Sequence, residues 1–168
     1  MTEEVDTGRR HFLTVATVAT GAVGAAFVAV PFLASWRPSA RAKAMGAPVE
    51  VDISKLEPGA MVKVEWRGKA IFVVNRTPQM LAQIEGVDAQ LRDPGSDESE
   101  QPEFAKNPAR AMKPEYLVLV GVCTHLGCAP LDKFAQGDVT VAADWPGGFF
   151  CPCHGSKFDM SGRVFKDV

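Results

Sequence analysis

Two short segments in the second half of the chain decide its fold: Cys123-Thr124-His125-Leu126-Gly127-Cys128 and Cys151-Pro152-Cys153-His154-Gly155-Ser156. They contain all four cysteines and two of the three histidines of the 168-residue chain. We call them box 1 (residues 123–128) and box 2 (residues 151–156). Each box offers two thiols and one imidazole. Two such boxes on adjacent loops can hold an iron–sulfur cluster with one iron bound by sulfur and the other by imidazole, which leaves two cysteines over.

Three kinds of site compete for these residues. A structural zinc ion takes four ligands in a closed tetrahedral set, for example two cysteines and two histidines. Zinc ligands in small domains usually come as a close cysteine pair followed by histidines, however, rather than as two mixed loops. A pure disulfide framework would use all four thiols and leave both histidines unexplained. The third possibility is a [2Fe–2S] centre in which two histidines replace two cysteines on one iron.

Residues 12–36 form a long apolar stretch ahead of the boxes. From Phe12 to Trp36 there is no Asp, Glu, Lys or Arg, and about 20 apolar residues in a helix cross the core of a bilayer. The glycines and the proline within this stretch are tolerated in a membrane helix. Residues 12–36 are therefore predicted to be a single transmembrane anchor.

The polar tail before the anchor, residues 1–11, ends in a paired arginine. Arg9-Arg10-His11-Phe12-Leu13 resembles a twin-arginine export signal, and positive charge on this side of a span favours a cytoplasmic N-terminus. Export of folded protein suits a domain that takes up its metal before crossing. Ala40-Arg41-Ala42 is typical of a processing site, so cleavage is the alternative to retention of the anchor.

The remaining chain is predicted to be a flexible hinge linker, residues 37–48, and one domain, residues 49–168. The linker is rich in alanine and contains Pro38, Gly46 and Pro48, a composition that permits both flexible and helical conformations. The net charge of −2 and the lack of a basic stripe argue against a nucleic-acid partner.

Short apolar segments between turn residues predict that the domain is mainly antiparallel β structure. A hairpin is expected over residues 62–74, with Arg67-Gly68-Lys69 at its turn. Thr77 as N-cap, proline at the first helical position and Gly86 as the stop predict a short helix. Residues 91–114 are polar and predicted to be a solvated loop. Further strand-forming patterns lie at residues 49–53, 116–122 and 139–142, and a closing hairpin is expected at 158–164.

The two boxes together resemble the Rieske iron–sulfur subunits of ubiquinol–cytochrome c reductase. The resemblance also covers the export motif, the anchor, and three further segments: Val64-Glu65-Trp66-Arg67-Gly68-Lys69, Arg76-Thr77-Pro78 and Leu91-Arg92-Asp93-Pro94. It implies a mainly β Rieske domain behind a single transmembrane helix, with a small cluster-binding subdomain at about residues 121–160.

The resemblance implies one [2Fe–2S] cluster and assigns its ligands. Cys123 and Cys151 would bind one iron, and His125 and His154 would bind the other. These four residues are the metal ligands that we expect.

The same resemblance assigns the other residues of the boxes. Cys128 and Cys153 would form a disulfide between the loops. Ser156 would donate a hydrogen bond to a cluster sulfur, which stabilises the reduced cluster and raises its potential. His154 would face the quinol, and Leu126 would be an apolar docking contact.

Two features depart from the family pattern. Phe158 stands where the family commonly has a tyrosine that donates to a cysteine sulfur, and loss of that donor is expected to lower the potential. The sequence also stops at Val168, where the family continues into a proline-rich loop over the cluster. A shortened sequence or a more exposed cluster is the expectation.

The function implied is electron transfer in a respiratory enzyme complex that oxidises ubiquinol, translocates protons and delivers the electron to a membrane c-type cytochrome. The expected partners are a cytochrome b subunit, that c-type cytochrome, ubiquinol and membrane lipid, within a dimeric complex. The expected location is the bacterial inner membrane, with the Rieske domain in the periplasm. The alternative is the Rieske small subunit of a periplasmic oxidase such as arsenite oxidase, and an exported zinc-binding module is a more distant one.

Overall fold

The computed structural model describes residues 6–166 and divides the chain into two units at Ala47 and Pro48. The first unit contains helix α1, Thr7–Ser35, which begins where the Asp6 carboxylate accepts a hydrogen bond from the Arg9 N–H. This helix is long and apolar enough to cross a membrane. The predicted tail, residues 1–11, lies partly outside the described residues.

A second, short helix lies within the predicted linker. Helix α2 spans Ala40–Met45, and the Ser39 hydroxyl caps it by accepting from the Ala42 N–H. Alanine, lysine and methionine are good helix formers, and serine is a preferred cap. The alanine-rich composition therefore takes its helical form here, between Pro38 and the glycine at position 46.

The second unit contains an antiparallel sheet of strands β1 (Met61–Trp66), β2 (Lys69–Asn75) and β3 (Tyr116–Val120), in that order. Arg67 and Gly68 both have positive φ and form the tight turn between β1 and β2, as a two-residue hairpin requires. One face packs into the core through Phe72, Val74 and Leu117. The predicted hairpin is confirmed.

Helix α3, Pro78–Glu85, covers one edge of this core. The Thr77 hydroxyl accepts from the Met80 N–H, and Met80 and Ile84 are buried. The helix begins and ends as its capping residues predict.

The boxes are attached to a smaller sheet of strands β4 (Leu131–Lys133), β5 (Gly148–Phe150) and β6 (Lys157–Phe158), in that order. Box 1 precedes β4, and box 2 connects β5 to β6. A bridge between Phe158 and Val164 closes the predicted final hairpin, with Gly162 at its turn.

Two predicted strands are wrong. Residues 139–142 form a turn, because the Asp138 carboxylate accepts from both the N–H and the hydroxyl of Thr140 and so replaces a strand ladder. Residues 49–52 lie outside both sheets, and Ile53–Lys55 is a 3₁₀ turn capped by the Asp52 carboxylate. In both places a local side-chain cap overrides the alternating pattern.

Arg76, Arg110 and Arg163, which we call the arginine frame, join the polar segment before β3 to the turn after box 2. Arg76 and Arg163 are buried, and only 13% of the Arg110 side chain is exposed. The predicted solvated loop, residues 91–114, is therefore partly exposed, and hydrogen bonds of the arginine frame hold it to the rest of the domain. Arg76 donates to the carbonyls of Ala109, Pro114 and Met160 and to the Ser161 hydroxyl. Arg110 donates to the hydroxyls of Ser96 and Ser99 and to the Gly162 carbonyl. Arg163 donates to the carbonyls of Ile84 and Pro94 and to the carboxylates of Asp88 and Asp159.

Gly148 lies directly against the backbone of β6. Its φ is 149°, and a Cβ atom there would lie 2.0 Å from the carbonyl oxygen of Phe158. We expect Gly148→Ala to lower the free energy of unfolding by about 3 kcal/mol or more, because the backbone of β6 must shift. Gly68→Ala is the control, since it also has positive φ but no atom within 4 Å of the added carbon; it should cost about 1 kcal/mol. Urea unfolding followed by tryptophan fluorescence measures both, and equal losses would contradict the steric account.

Candidate metal centre

The two boxes fold into the same backbone turn. In box 1 the N–H of Cys123 donates to the carbonyl of Cys128, and the N–H of Gly127 donates to the carbonyl of Cys123. In box 2 the N–H of Cys151 donates to the carbonyl of Ser156, and the N–H of Gly155 donates to the carbonyl of Cys151. The fifth residue of each box has φ near +84°: 83° at Gly127 and 84° at Gly155. This conformation suits glycine, which explains its presence at the same place in both boxes.

A disulfide between Cys128 and Cys153 joins the two turns. The bond runs from the last residue of box 1 to the third residue of box 2, and the two Cα atoms are 6.8 Å apart. The structure therefore brings together the two cysteines that the family resemblance paired.

The first cysteines of the two boxes, Cys123 and Cys151, carry free thiols and are buried. Burial raises the pKa of the Cys123 thiol, but hydrogen bonds from the N–H groups of His125 and Leu126, the Ser156 hydroxyl and the Cys151 thiol outweigh it, and the net pKa is lowered. Donors around the sulfur favour its charged form. The thiolate is the form that binds a metal, so the lowered pKa agrees with the predicted role of Cys123 as a ligand.

The two histidines lie on the opposite, outer side of the boxes. His125 and His154 are exposed, and their ring centroids are 4.8 Å apart with the ring planes at 79°. Leu126 beside them is 71% exposed. Two buried thiols and two adjacent exposed imidazoles form a donor set that fits a mixed [2Fe–2S] cluster, with sulfur ligands inside and nitrogen ligands at the surface.

Ser156 and Phe158 define the inner wall of the centre. The Ser156 hydroxyl is buried and donates to the Cys123 sulfur. Phe158 is 6% exposed and packs in the same core cluster as Phe149 and Met160. The phenylalanine therefore contributes packing at a position where it has no hydroxyl to donate.

The arginine frame supports box 2 and was not predicted from the sequence. The Asp159 carboxylate accepts from the Nε of Arg163 and from the N–H groups of Ser161 and Arg163, which fixes the turn directly after β6. An acid and an arginine four residues apart around Ser161-Gly162 are a pattern from which this contact could have been predicted. Burial of Arg76 leaves no such pattern, because its partners are distant in sequence.

Comparison with known proteins covers nearly the whole chain. Residues 1–39 match the family model described as "Ubiquitinol-cytochrome C reductase Fe-S subunit TAT signal", and residues 48–167 match that of the Rieske [2Fe-2S] domain. The ubiquinol–cytochrome c reductase iron–sulfur subunit of Allochromatium vinosum is 57% identical over 95% of this chain and 77% of its own length. The subunit of the same name from Blastochloris viridis is 47% identical over 94% of this chain and 79% of its own length.

A chain of "Hyperthermophilic respiratory Complex III" is 26% identical, with a TM-score of 0.48, and the match covers 92% of this chain and 84% of that chain.

These matches confirm the family resemblance, the mainly β fold behind an N-terminal apolar helix, and a [2Fe–2S] cluster as the cofactor. They do not test the individual ligands or the domain boundaries, which stay predictions. The family model covers more than half of the chain, and the relatives exceed 40% identity over most of their length. The chain therefore belongs to the Rieske iron–sulfur subunits of ubiquinol–cytochrome c reductase.

Proposed function

We propose that this chain is the electron-carrying subunit of a membrane-bound ubiquinol–cytochrome c reductase, in which it takes single electrons from quinol and passes them to a c-type cytochrome. The observation that carries the proposal is the arrangement of the boxes, with buried thiols and two adjacent imidazoles exposed at the surface. A redox group held in this way is accessible to a partner from the imidazole side.

The proposed ligands of the cluster are Cys123 and Cys151 on the inner iron and His125 and His154 on the outer one. The bound cluster supplies one-electron redox chemistry. The chain holds the two sulfur ligands in a dry environment and keeps the imidazoles toward solvent, so that the outer side of the site exchanges protons with a bound substrate.

The exposed imidazole is the group that would handle the proton of the quinol. One ring nitrogen of His154 would bind iron, which leaves the other nitrogen at the surface to accept a hydrogen bond from a quinol hydroxyl. This nitrogen then holds the proton that leaves the quinol. Leu126 is 71% exposed beside the rings and would pack against the apolar rim of a quinol pocket.

The proposed location is the bacterial inner membrane. Helix α1 would be the anchor, with Arg9 and Arg10 on the cytoplasmic side and the Rieske domain in the periplasm. The match of residues 1–39 to a TAT signal model supports this orientation. Helix α2 and its flanks, residues 37–48, would be the hinge between anchor and domain.

The proposed partners are a cytochrome b subunit, which would supply the quinol pocket, and a membrane c-type cytochrome, which would accept the electron, within a dimeric complex. The names of the relatives from Allochromatium vinosum and Blastochloris viridis support a reductase of this kind. Their names do not favour the alternative, a small subunit of arsenite oxidase.

The proteins and cofactors that co-purify with the chain test the proposed function directly. We expect the full chain, extracted in mild detergent through an affinity tag, to co-purify with b-type and c-type haem and to show a paramagnetic reduced cluster after addition of a short-chain ubiquinol. Optical haem spectra and electron paramagnetic resonance measure the two properties. Release from the membrane without haem, together with a molybdenum-containing partner, would contradict the proposal and favour the oxidase.

The hydrogen bond of Ser156 gives a second prediction. The Ser156 hydroxyl donates to the Cys123 sulfur, and this bond is stronger when the centre carries the extra electron. If the difference is ~1 kcal/mol, Ser156→Ala lowers the reduction potential by roughly 40 mV, since 59 mV corresponds to a factor of ten for one electron.

The matched control for this prediction is Ser161→Ala. Ser161 is also buried, but its hydroxyl accepts from Arg76 instead of donating to a sulfur. Redox titration at equal cluster content compares the two variants. A Ser161→Ala shift as large as that of Ser156→Ala would show that the effect is structural rather than electrostatic.

A further inference from the structure

Arg76 is a buried cation that has no ion pair. Only 2% of its surface is exposed, and within residues 6–166 no carboxylate forms a salt bridge with its guanidinium. Its acceptors are three carbonyl oxygens and the Ser161 hydroxyl, at 2.8 to 3.1 Å. Buried charges in proteins are normally paired, because an isolated charge in a dry environment is costly. The hydrogen bonds satisfy the donors of Arg76 but leave its charge uncompensated.

Arg163 shows the usual arrangement within the same frame. It is also fully buried, but its Nε donates to the Asp159 carboxylate at 2.8 Å and another of its nitrogens donates to the Asp88 carboxylate at 2.9 Å. Asp159 is therefore already committed to Arg163. Glu115, the other carboxylate whose charge acts on Arg76, is exposed, and solvent ions screen exposed charges. Neither carboxylate compensates Arg76 as Asp159 compensates Arg163.

The contacts of Arg76 lead into the core that contains the two free thiols. Its guanidinium donates to the carbonyl of Met160 at 3.0 Å. The side chain of Met160 is fully buried and belongs to the same core cluster as Cys123 and Cys151. Charges interact more strongly through such an apolar interior than through water. A fixed positive charge in this place therefore stabilises negative charge at the metal centre.

We propose that the buried charge of Arg76 raises the reduction potential of the [2Fe–2S] cluster. Reduction adds one electron, and therefore one negative charge, to the centre; in the proposed function that electron comes from the quinol and leaves to the c-type cytochrome. The cation stabilises the reduced form more than the oxidised form. This inference rests on the ligands proposed above and adds to them a residue outside both boxes, which needs no contact with the cluster.

A pair of substitutions separates the charge of Arg76 from its hydrogen bonds. Arg76→Lys keeps the charge and Arg76→Gln removes it, while both lose the planar fork of donors. In the full chain with its cluster, in detergent, we expect the equilibrium constant for reduction to be at least threefold lower in Arg76→Gln than in Arg76→Lys, which is roughly 28 mV for one electron. Redox titration at equal cluster content, followed by electron paramagnetic resonance, measures the difference.

The double variant Asp159→Asn/Arg163→Gln is the control, because it removes hydrogen bonds from the same turn and leaves the net charge unchanged. We expect its potential to shift less than half as far from the wild type as that of Arg76→Gln, even where urea unfolding shows an equal loss of stability. Equal potentials of Arg76→Lys and Arg76→Gln would overturn the inference. A neutral double variant whose potential falls as far as that of Arg76→Gln would do the same.

A second pair of variants keeps Arg76 and decides the question if the Arg76 variants do not retain the cluster. The Ser161 hydroxyl lies 3.1 Å from the guanidinium, so Ser161→Asp adds a negative charge beside it and Ser161→Asn adds a neutral group of the same shape. A lower potential in Ser161→Asp than in Ser161→Asn supports the inference, and equal potentials contradict it. The co-purification of haem tests the proposed function separately, so failure of the inference and failure of that function are distinguishable.

Discussion

The disulfide between Cys128 and Cys153 is the constraint on which the metal centre depends. The boxes are separated by a connection that includes only one short strand of three residues, β4, before β5. Strands of two or three residues form few inter-strand hydrogen bonds, so the disulfide adds a covalent constraint on the distance between the two loops. In the chain-entropy account, a cross-link across 25 residues contributes about 3.5 kcal/mol, which compensates for this small sheet.

The arginine frame is a second constraint, since it fixes the turn that follows box 2 and β6. Burial lowers the pKa of Arg76 to about 10, against the opposing effect of Asp159 and Glu115, so the guanidinium stays charged at neutral pH. The cost of desolvating this guanidinium is offset by its four hydrogen bonds. Two of the acceptors lie in the polar segment before β3 and two in the turn after β6. Replacement of such a group leaves several carbonyls without donors. The frame therefore connects the stability of the polar segment before β3 with the position of the turn that follows box 2.

The sequence was most informative where a residue type has only a few possible roles. The boxes were predicted from the spacing of cysteine and histidine, and the anchor from the absence of charged residues. Helix α3 was predicted from its capping residues. The strands predicted at 49–53 and 139–142 do not form, because the carboxylates of Asp52 and Asp138 cap local turns. The alternation of apolar and polar residues does not show that such a turn competes with a strand. Arg76 was missed because burial of this arginine depends on partners more than 30 residues away in sequence.

The central claim is that two histidines and two cysteines share the cluster, with His125 and His154 on the same iron. Pulsed electron paramagnetic resonance of the reduced protein, grown with ¹⁵N-labelled histidine, tests it most directly. The account predicts two strongly coupled ¹⁵N nuclei in the wild type, with the couplings lost when either His125 or His154 is replaced. Detection of a cluster without strongly coupled histidine nitrogen would contradict the account and indicate a centre bound by sulfur alone.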